Sequence, residues 1–133
     1  MSGHMFFSEG FYGFDDALYG AARLLHIVAE SGKSMRELLA DVPRFVSTPE
    51  IRVDCPDDKK FGIVEEAQKH FSAKYEVITV DGVRVLFGDG WGLIRASNTQ
   101  PVIVMRFESR TSERLAAIQA EMQGWLRAKG VKV

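Results

Sequence analysis

Four polar residues lie close together between two apolar segments in the C-terminal half of the chain: Arg95, Ser97, Asn98 and Thr99. Guanidinium, hydroxyl and amide hydrogens are the donors that a phosphate dianion accepts, and an arginine can bind it through two parallel hydrogen bonds. Pro101 fixes φ where the chain enters the next apolar segment, which stiffens the loop. The pattern predicts a phosphate-binding loop, although an ordinary polar turn explains the same residues.

Other residues that could do chemistry give weaker signals. His26 and His70 have no partner at the spacing of a metal site, so each is interpreted as a structural or surface histidine. The adjacent Asp15 and Asp16 are explained by capping of a helix. Cys55 lies in a predicted strand with no histidine nearby in sequence, so it is interpreted as a small packed residue. None of these predicts a catalytic or metal site.

The composition restricts the class of protein. The chain has 133 residues, of which 46% are hydrophobic, and its 17 Lys plus Arg against 18 Asp plus Glu give a net charge of -1. That balance excludes a polybasic nucleic-acid binder. The single cysteine excludes an internal disulfide framework, and no apolar run approaches the roughly 18 residues of a membrane span. We expect a compact cytoplasmic protein with one domain and at most a remnant of another.

Two predicted helices precede Pro43. The first begins at Asp15 or Asp16, repeats apolar residues at helical spacing and ends near Gly32. Its apolar stripe is wider than one partner surface usually covers. A second, short helix follows Ser34 and ends before the proline.

After Pro43 the sequence alternates between strand and helix patterns. In chain order we first predict a strand at 48–55 and a helix capped by Asp57 or Asp58. That helix carries its apolar residues on one inward face, namely Phe61, Val64, Ala67 and Phe71. A hairpin of strands 75–80 and 83–87 around Asp81-Gly82 follows, then an extended segment at 91–94, a strand at 102–107, and a helix from Thr111 to about Gly130. The predicted fold is α+β in the order β-α-β-β-β-α. Two helices lie on one face of a four-stranded, mainly antiparallel sheet.

Several segments, taken in order, resemble a known family. They are Met-Ser-Gly-His-Met-Phe-Phe at 1–7, Gly-Phe-Asp-Asp-Ala-Leu-Tyr at 13–19, Asp-Gly-Val-Arg-Val at 81–85, Gly-Trp-Gly-Leu-Ile-Arg-Ala-Ser-Asn-Thr-Gln-Pro at 90–101 and Arg-Phe-Glu at 106–108. Together they resemble the C-terminal part of bacterial phosphomannomutase/phosphoglucomutase, in the α-D-phosphohexomutase superfamily. The resemblance implies that residues 44–133 are the fourth, phosphate-binding domain and that residues 1–43 end the third, sugar-binding domain.

The resemblance also implies an activity and site residues. Such an isomerase interconverts hexose 1-phosphate and 6-phosphate, of mannose or glucose, through a bisphosphorylated intermediate, with a phosphoserine and Mg²⁺ held by earlier domains. The fourth domain would clamp the non-reacting phosphate through the residues that match here, Arg95, Ser97, Asn98 and Thr99. Ser2 and His4 match the sugar loop, and His4 would lie near the reacting end as a possible assisting residue. The glutamate of that sugar loop is absent.

The 133 residues contain no serine nucleophile loop and no aspartate-rich metal loop. We therefore expect no metal, no cofactor and no mutase activity in this chain alone, with hexose phosphate and the missing N-terminal domains as its partners. The wide apolar stripe of the first helix would lack its sheet, which predicts dimerisation or domain swapping.

Two other functions remain possible on the sequence. One is a free-standing anion-binding, phosphosugar-binding or regulatory module of the same fold. The other is a nucleic-acid contact module, which the net charge of -1 and the absence of a basic stripe oppose.

Overall fold

The computed structural model describes residues 3–133, and the chain divides into two compact units, residues 1–43 and 44–133. The first unit contains helix α1 (Ala17–Ser31) and helix α2 (Met35–Leu38). Asp16 caps α1, because its carboxylate accepts a hydrogen bond of 2.8 Å from the backbone N–H of Tyr19. Gly32 ends α1 at φ +62°, a conformation that favours glycine. The predicted start and end of α1 are thus both correct.

Helix α1 exposes most of its apolar side chains. Gly20 is its one buried residue, whereas the side chains of Leu18 and Leu25 are 85% and 69% exposed. Phe11 stacks on Tyr19 with their ring centroids 4.0 Å apart, so the N-terminal aromatic segment packs on one side of the helix. The wide apolar stripe predicted from the sequence is therefore only partly covered within this unit.

The second unit is a sheet with two helices. The strands are β1 (Val46–Ser47), β2 (Ile51–Asp54), β3 (Glu76–Ile78), β4 (Val83–Leu86), β5 (Gly90–Ala96) and β6 (Val102–Ser109), and the helices are α3 (Asp57–Ser72) and α4 (Ser112–Ala128). The strand order is β1-β6-β5-β4-β3, β2 also pairs with β6, and every pair is antiparallel. The α+β class is confirmed.

The predicted number of strands is wrong, because the sheet has six strands and not four. The extended segment at 91–94 is a full strand, β5, which pairs along its whole length with β6. The edge beside β6 also holds two short strands, β1 and β2, instead of one. Between them Pro49 has no N–H to donate, and the Thr48 hydroxyl accepts a hydrogen bond of 3.2 Å from the N–H of Phe107.

Helices α3 and α4 cover one face of this sheet. Gly92 of β5 lies directly under α4, since a Cβ placed on it would come within 2.2 Å of Met122 Sδ. The core contains buried apolar side chains from both helices and from the facing positions of β4, β5 and β6, among them Phe71, Val83, Val85, Ile94, Ile103, Met105, Phe107, Ile118 and Met122. The opposite face of the sheet presents the alternate residues of the same strands.

The start of α3 differs from the prediction. Its N-cap position is Pro56, without a side-chain cap, and Asp57 and Asp58 lie in the first turn, where their charge complements the helix dipole. Phe61, predicted to face inward, is 49% exposed, and Lys60 is buried in its place. No helix within residues 3–133 has both the length and the apolar character needed to cross a membrane.

Candidate functional site

Arg95 belongs to strand β5 and not to the loop that follows it. Its neighbour across the sheet is Val104 of β6, so the side chain leaves the sheet on the face opposite to the helices. The Arg95 Nη1 atom lies 3.1 Å from Asp81 Oδ2 in the turn between β3 and β4. A sheet position and an ion pair therefore hold the guanidinium at the edge of the loop.

The loop between β5 and β6 is organised by the Ser97 hydroxyl. Its Oγ accepts hydrogen bonds from the backbone N–H groups of Thr99 and Gln100, at 3.4 and 3.2 Å. A hydroxyl that accepts in this way still has its own hydrogen to donate. Asn98 and Thr99 are exposed at the tip. The structure thus brings the four predicted phosphate ligands together at one end of a single hairpin.

Arg106 is a further candidate residue, which the spacing of polar residues in the sequence did not predict. In β6 it lies opposite Leu93, two positions from the Val104 that faces Arg95, so both arginines lie on the same face as diagonal neighbours. Its Nε is buried and has no hydrogen-bond partner among the described residues. A buried guanidinium nitrogen without a partner is costly, so it is suited to an anionic ligand. The sequence signal was an arginine inside an otherwise apolar strand.

A second charged pair lies at the neighbouring edge of the sheet. Arg52 Nε is 2.7 Å from Glu50 Oε1, and Arg52 Nη1 donates a hydrogen bond of 2.8 Å to the Gln100 side chain. The hydrogen bond from Arg52 lowers the pKa of the Glu50 carboxyl, and the positive charges of Arg52 and Arg95 act in the same direction. The loop therefore lies between two arginines, Arg52 and Arg95, each of which is paired with a carboxylate.

A cleft of about 260 Å³ adjoins the loop on the side of α3. Asn98 and Asp81 line it together with Phe61 and Gln68. Gln68 Nε2 donates a hydrogen bond of 2.9 Å to the Gly82 carbonyl, which joins α3 to the turn that carries Asp81. One wall of the cleft is therefore the polar loop, and the other is the partly apolar surface of α3.

In the first unit, His4 Nε2 lies 3.7 Å from Asp15 Oδ2. Both residues line an open groove of about 890 Å³ along α1, whose other walls include Phe7, Leu24 and Ile27. Ser2, the other predicted sugar-loop contact, lies outside the described residues. Within residues 3–133 no group of three or more His, Cys, Asp or Glu side chains is placed to hold a metal ion.

Two sequence profiles of protein families match the chain. Residues 50–124 match the profile described as phosphoglucomutase/phosphomannomutase, C-terminal domain. Residues 1–45 match the profile described as phosphoglucomutase/phosphomannomutase, alpha/beta/alpha domain III. The chain therefore belongs to the phosphoglucomutase/phosphomannomutase family.

Individual relatives are similar over nearly the whole chain. A phosphomannomutase/phosphoglucomutase of Pseudomonas aeruginosa is 44% identical over 96% of this chain and 28% of its own length. A phosphoglucomutase of Neisseria gonorrhoeae is 46% identical over 90% of this chain and 26% of its own length. The crystal structure of a phosphoglucomutase/phosphomannomutase family protein from Burkholderia thailandensis superposes with a TM-score of 0.79 at 44% identity, over 96% of this chain and 27% of that one. The chain thus spans little more than a quarter of the length of the relatives it matches.

Proposed function

We propose that residues 44–133 are the phosphate-binding fourth domain of a phosphohexomutase and that residues 1–43 are the end of its third, sugar-binding domain. In this proposal Arg95, Ser97, Asn98 and Thr99 clamp the phosphate of a hexose phosphate that is not reacting. Arg106 contributes a second guanidinium, and Ser2 and His4 belong to the sugar loop. The division of the chain at residues 43 and 44 supports this assignment of domains.

One observation carries the proposal. Arg95 and Arg106 occupy diagonal positions on one face of the sheet, and the buried Nε of Arg106 has no partner within residues 3–133. The loop with the Ser97 hydroxyl starts two residues after Arg95. Two guanidinium groups and a hydroxyl provide more donors than a neutral ligand needs. A phosphate dianion uses them all, because its oxygens accept several charge-assisted hydrogen bonds at once.

These donors also suit a reaction in which the substrate binds in two orientations. A mutase that passes through a bisphosphorylated intermediate must present first one end of the sugar and then the other to the same reacting group. The opposite end is then always a phosphate, whichever carbon carries it. A clamp made of guanidinium and hydroxyl donors recognises the phosphate and not the ring, and it holds the rest of the substrate in place for phosphoryl transfer.

The remaining parts of the reaction belong to domains outside these 133 residues. The phosphoserine and the Mg²⁺ that would neutralise charge during transfer are assigned to the first and second domains, and the isolated chain is expected to be inactive as a mutase. We place the complete enzyme in the cytoplasm, where its hexose phosphate substrates are available. Adding the missing domains to this chain should restore turnover, whereas turnover by the chain alone would contradict the proposal.

An amide-resolved NMR titration of the chain tests the clamp. We expect glucose 6-phosphate and inorganic phosphate to shift the amide signals of residues 95–99 and 106, and unphosphorylated glucose to leave them unchanged. Arg95→Ala should weaken phosphate binding at least tenfold, since it removes a charge-assisted contact. Arg127→Ala is the matched control, because this arginine donates hydrogen bonds to Gln123 and Val133 in the C-terminal region. The Arg127→Ala variant should bind phosphate as the unaltered chain does.

A free-standing phosphate-binding module is a second candidate. The second unit has a hydrophobic core of its own, and its clamp residues all lie between positions 95 and 106. Strong binding of phosphate by this chain, with no further effect from the other domains, would favour the module. Silence of residues 95–99 up to millimolar ligand would instead mean that the clamp forms only in the longer enzyme, or that the loop is an ordinary polar turn.

A further inference from the structure

Lys60 is the one charged residue among residues 3–133 that is fully buried, with 2% of its surface exposed. It lies on the inward face of α3 with Val64 and Ala67, a position where an apolar residue would be expected. A buried ammonium group is costly unless it is hydrogen-bonded. The hydrogen-bond partners of Lys60 Nζ therefore indicate the structural role of this lysine.

The first partner is the loop between β5 and β6, residues 97–101, which is called the phosphate loop below. Lys60 Nζ donates a hydrogen bond of 2.9 Å to the backbone carbonyl of Gln100 and a second one to Asp57 Oδ1. The same Gln100 carbonyl accepts the N–H of Val102 at 2.8 Å. Gln100 is the last residue of the loop before Pro101, and its side chain is held separately by Arg52. Two cations on different elements thus hold this one residue.

We propose that Lys60 is a positioning residue of the phosphate clamp, acting through the carbonyl of Gln100; this inference rests on the function proposed above. The N–H of Ser97 is bonded to the Val102 carbonyl at 3.0 Å, which fixes the start of the loop. Lys60 fixes its end. With both ends held, the exposed donors of the loop keep one arrangement, so little conformational entropy is lost when phosphate binds.

The test compares the 133-residue chain with Lys60→Met, which keeps the length of the side chain and removes its charge and donors. Without ligand, we expect faster amide hydrogen exchange at residues 97–102 in the variant. With inorganic phosphate or glucose 6-phosphate, we expect a dissociation constant about 3- to 10-fold higher, the effect of losing one intramolecular hydrogen bond. Lys60→Arg retains a cationic donor and should restore part of the affinity, which also covers the case in which the methionine variant folds poorly.

Two control variants separate positioning from general loss of stability. Ile118→Val lowers stability from the buried face of α4, and should leave both the loop exchange and the phosphate affinity unchanged. Asp57→Asn alters the first turn of α3 and leaves the Gln100 carbonyl available to Lys60, so we expect loop exchange and phosphate affinity close to those of the unaltered chain. Unchanged loop exchange in Lys60→Met, or an equal effect of Ile118→Val, would overturn the inference. Absence of phosphate binding by the unaltered chain would instead count against the proposed function, and the exchange data without ligand would still decide the role of Lys60.

Discussion

The guanidinium of Arg95 lies 3.1 Å from the carboxylate of Asp81, a residue 14 positions earlier in the chain. Asp81 is in the turn between β3 and β4, so the pair joins two neighbouring hairpins at the end of the sheet where the loop between β5 and β6 begins. The side chains of Arg95 and Asp81 are 35% and 62% exposed, which makes this a solvent-screened pair of small energy. A phosphate bound to Arg95 therefore shares the Arg95 guanidinium with the Asp81 carboxylate, and the negative charge of that carboxylate repels the phosphate.

Asp81→Asn should tighten phosphate binding. The asparagine keeps an oxygen that can accept from Arg95 Nη1, and it removes the negative charge beside the bound dianion. Because exposed ion pairs contribute about 0.2–1 kcal/mol, we expect the dissociation constant for phosphate to fall about 1.5- to 5-fold. Isothermal calorimetry at low salt measures this, and the difference should shrink as the salt concentration rises.

Asp89→Asn is the matched control for that experiment. Asp89 lies in the next hairpin turn and pairs with Arg114 at 2.9 Å, so the substitution removes the same charge from a similar pair away from the loop. Phosphate binding should be nearly unchanged in this variant. Weaker binding in Asp81→Asn would show that Asp81 mainly orients Arg95 and does not compete with the ligand.

The sequence predicted the loop better than it predicted what surrounds the loop. Asp81-Gly82 and the polar run after Arg95 are local signals, since turn chemistry is decided by neighbouring residues. Arg106 was missed because its relation to Arg95 depends on the register of two strands, which periodicity alone does not give. Phe61 was placed inward because an aromatic side chain is the better apolar choice. Lys60 occupies that face because a carbonyl 40 residues away accepts its hydrogen bond.

Gly82→Ala should destabilise the second unit strongly. Gly82 has φ +79°, and a Cβ there would lie 2.3 Å from the backbone oxygen of Ile94, which cannot move without breaking the β4–β5 pairing. Gly88→Ala is the control, since this glycine has φ +81° and no atom of the described residues 3–133 comes within 4 Å of the added carbon. We expect a loss of about 1–2 kcal/mol for Gly88→Ala, and a further 1–3 kcal/mol for Gly82→Ala, in urea unfolding. Equal losses of stability in the two variants would mean that the contact between the added Cβ and the Ile94 oxygen does not destabilise the fold.

The Cys55 thiol should make the stability of the chain fall at alkaline pH. Burial raises the pKa of the Cys55 thiol, and the charge of Asp58 acts in the same direction. The folded chain therefore holds this proton more tightly than the unfolded one. The contribution of the protonated thiol to the free energy of unfolding is complete below the thiol pKa of the unfolded chain, about 8.5. It is lost as the pH rises through the higher thiol pKa of the folded chain.

Unfolding free energies measured between pH 7 and pH 10 test this prediction. The decline above pH 8.5 should be smaller in Cys55→Ala than in the unaltered chain. Alkylation by iodoacetamide at pH 8 provides a second measurement, and it should be slow in the folded chain and fast in urea. Equal alkylation rates in the two conditions would contradict both the burial and the raised pKa.

Helix α1 should cause self-association of the chain. Its apolar side chains Leu18 and Leu25 are 85% and 69% exposed, so pairing of two copies would remove them from water. Leu25→Glu should lower the association constant at least tenfold in sedimentation velocity. Ser31→Glu adds the same charge at the end of the helix without removing apolar surface, and should have a much smaller effect. A monomer at all concentrations up to 100 µM, roughly where weak dimers are detected, would contradict the prediction.

The proposed phosphate ligands of the second unit all lie on the β5–β6 hairpin, whose seven paired positions run from Gly90 with Ser109 to Ala96 with Ile103. Contacts so close in sequence form early, because a hairpin closes within about 1–10 µs and loses little loop entropy. The bond from Lys60 to Gln100 spans 40 positions and must wait until α3 packs on the sheet. During folding, the ligands therefore come together before they become rigid, and the chain should acquire weak affinity for anions earlier than it acquires its native core.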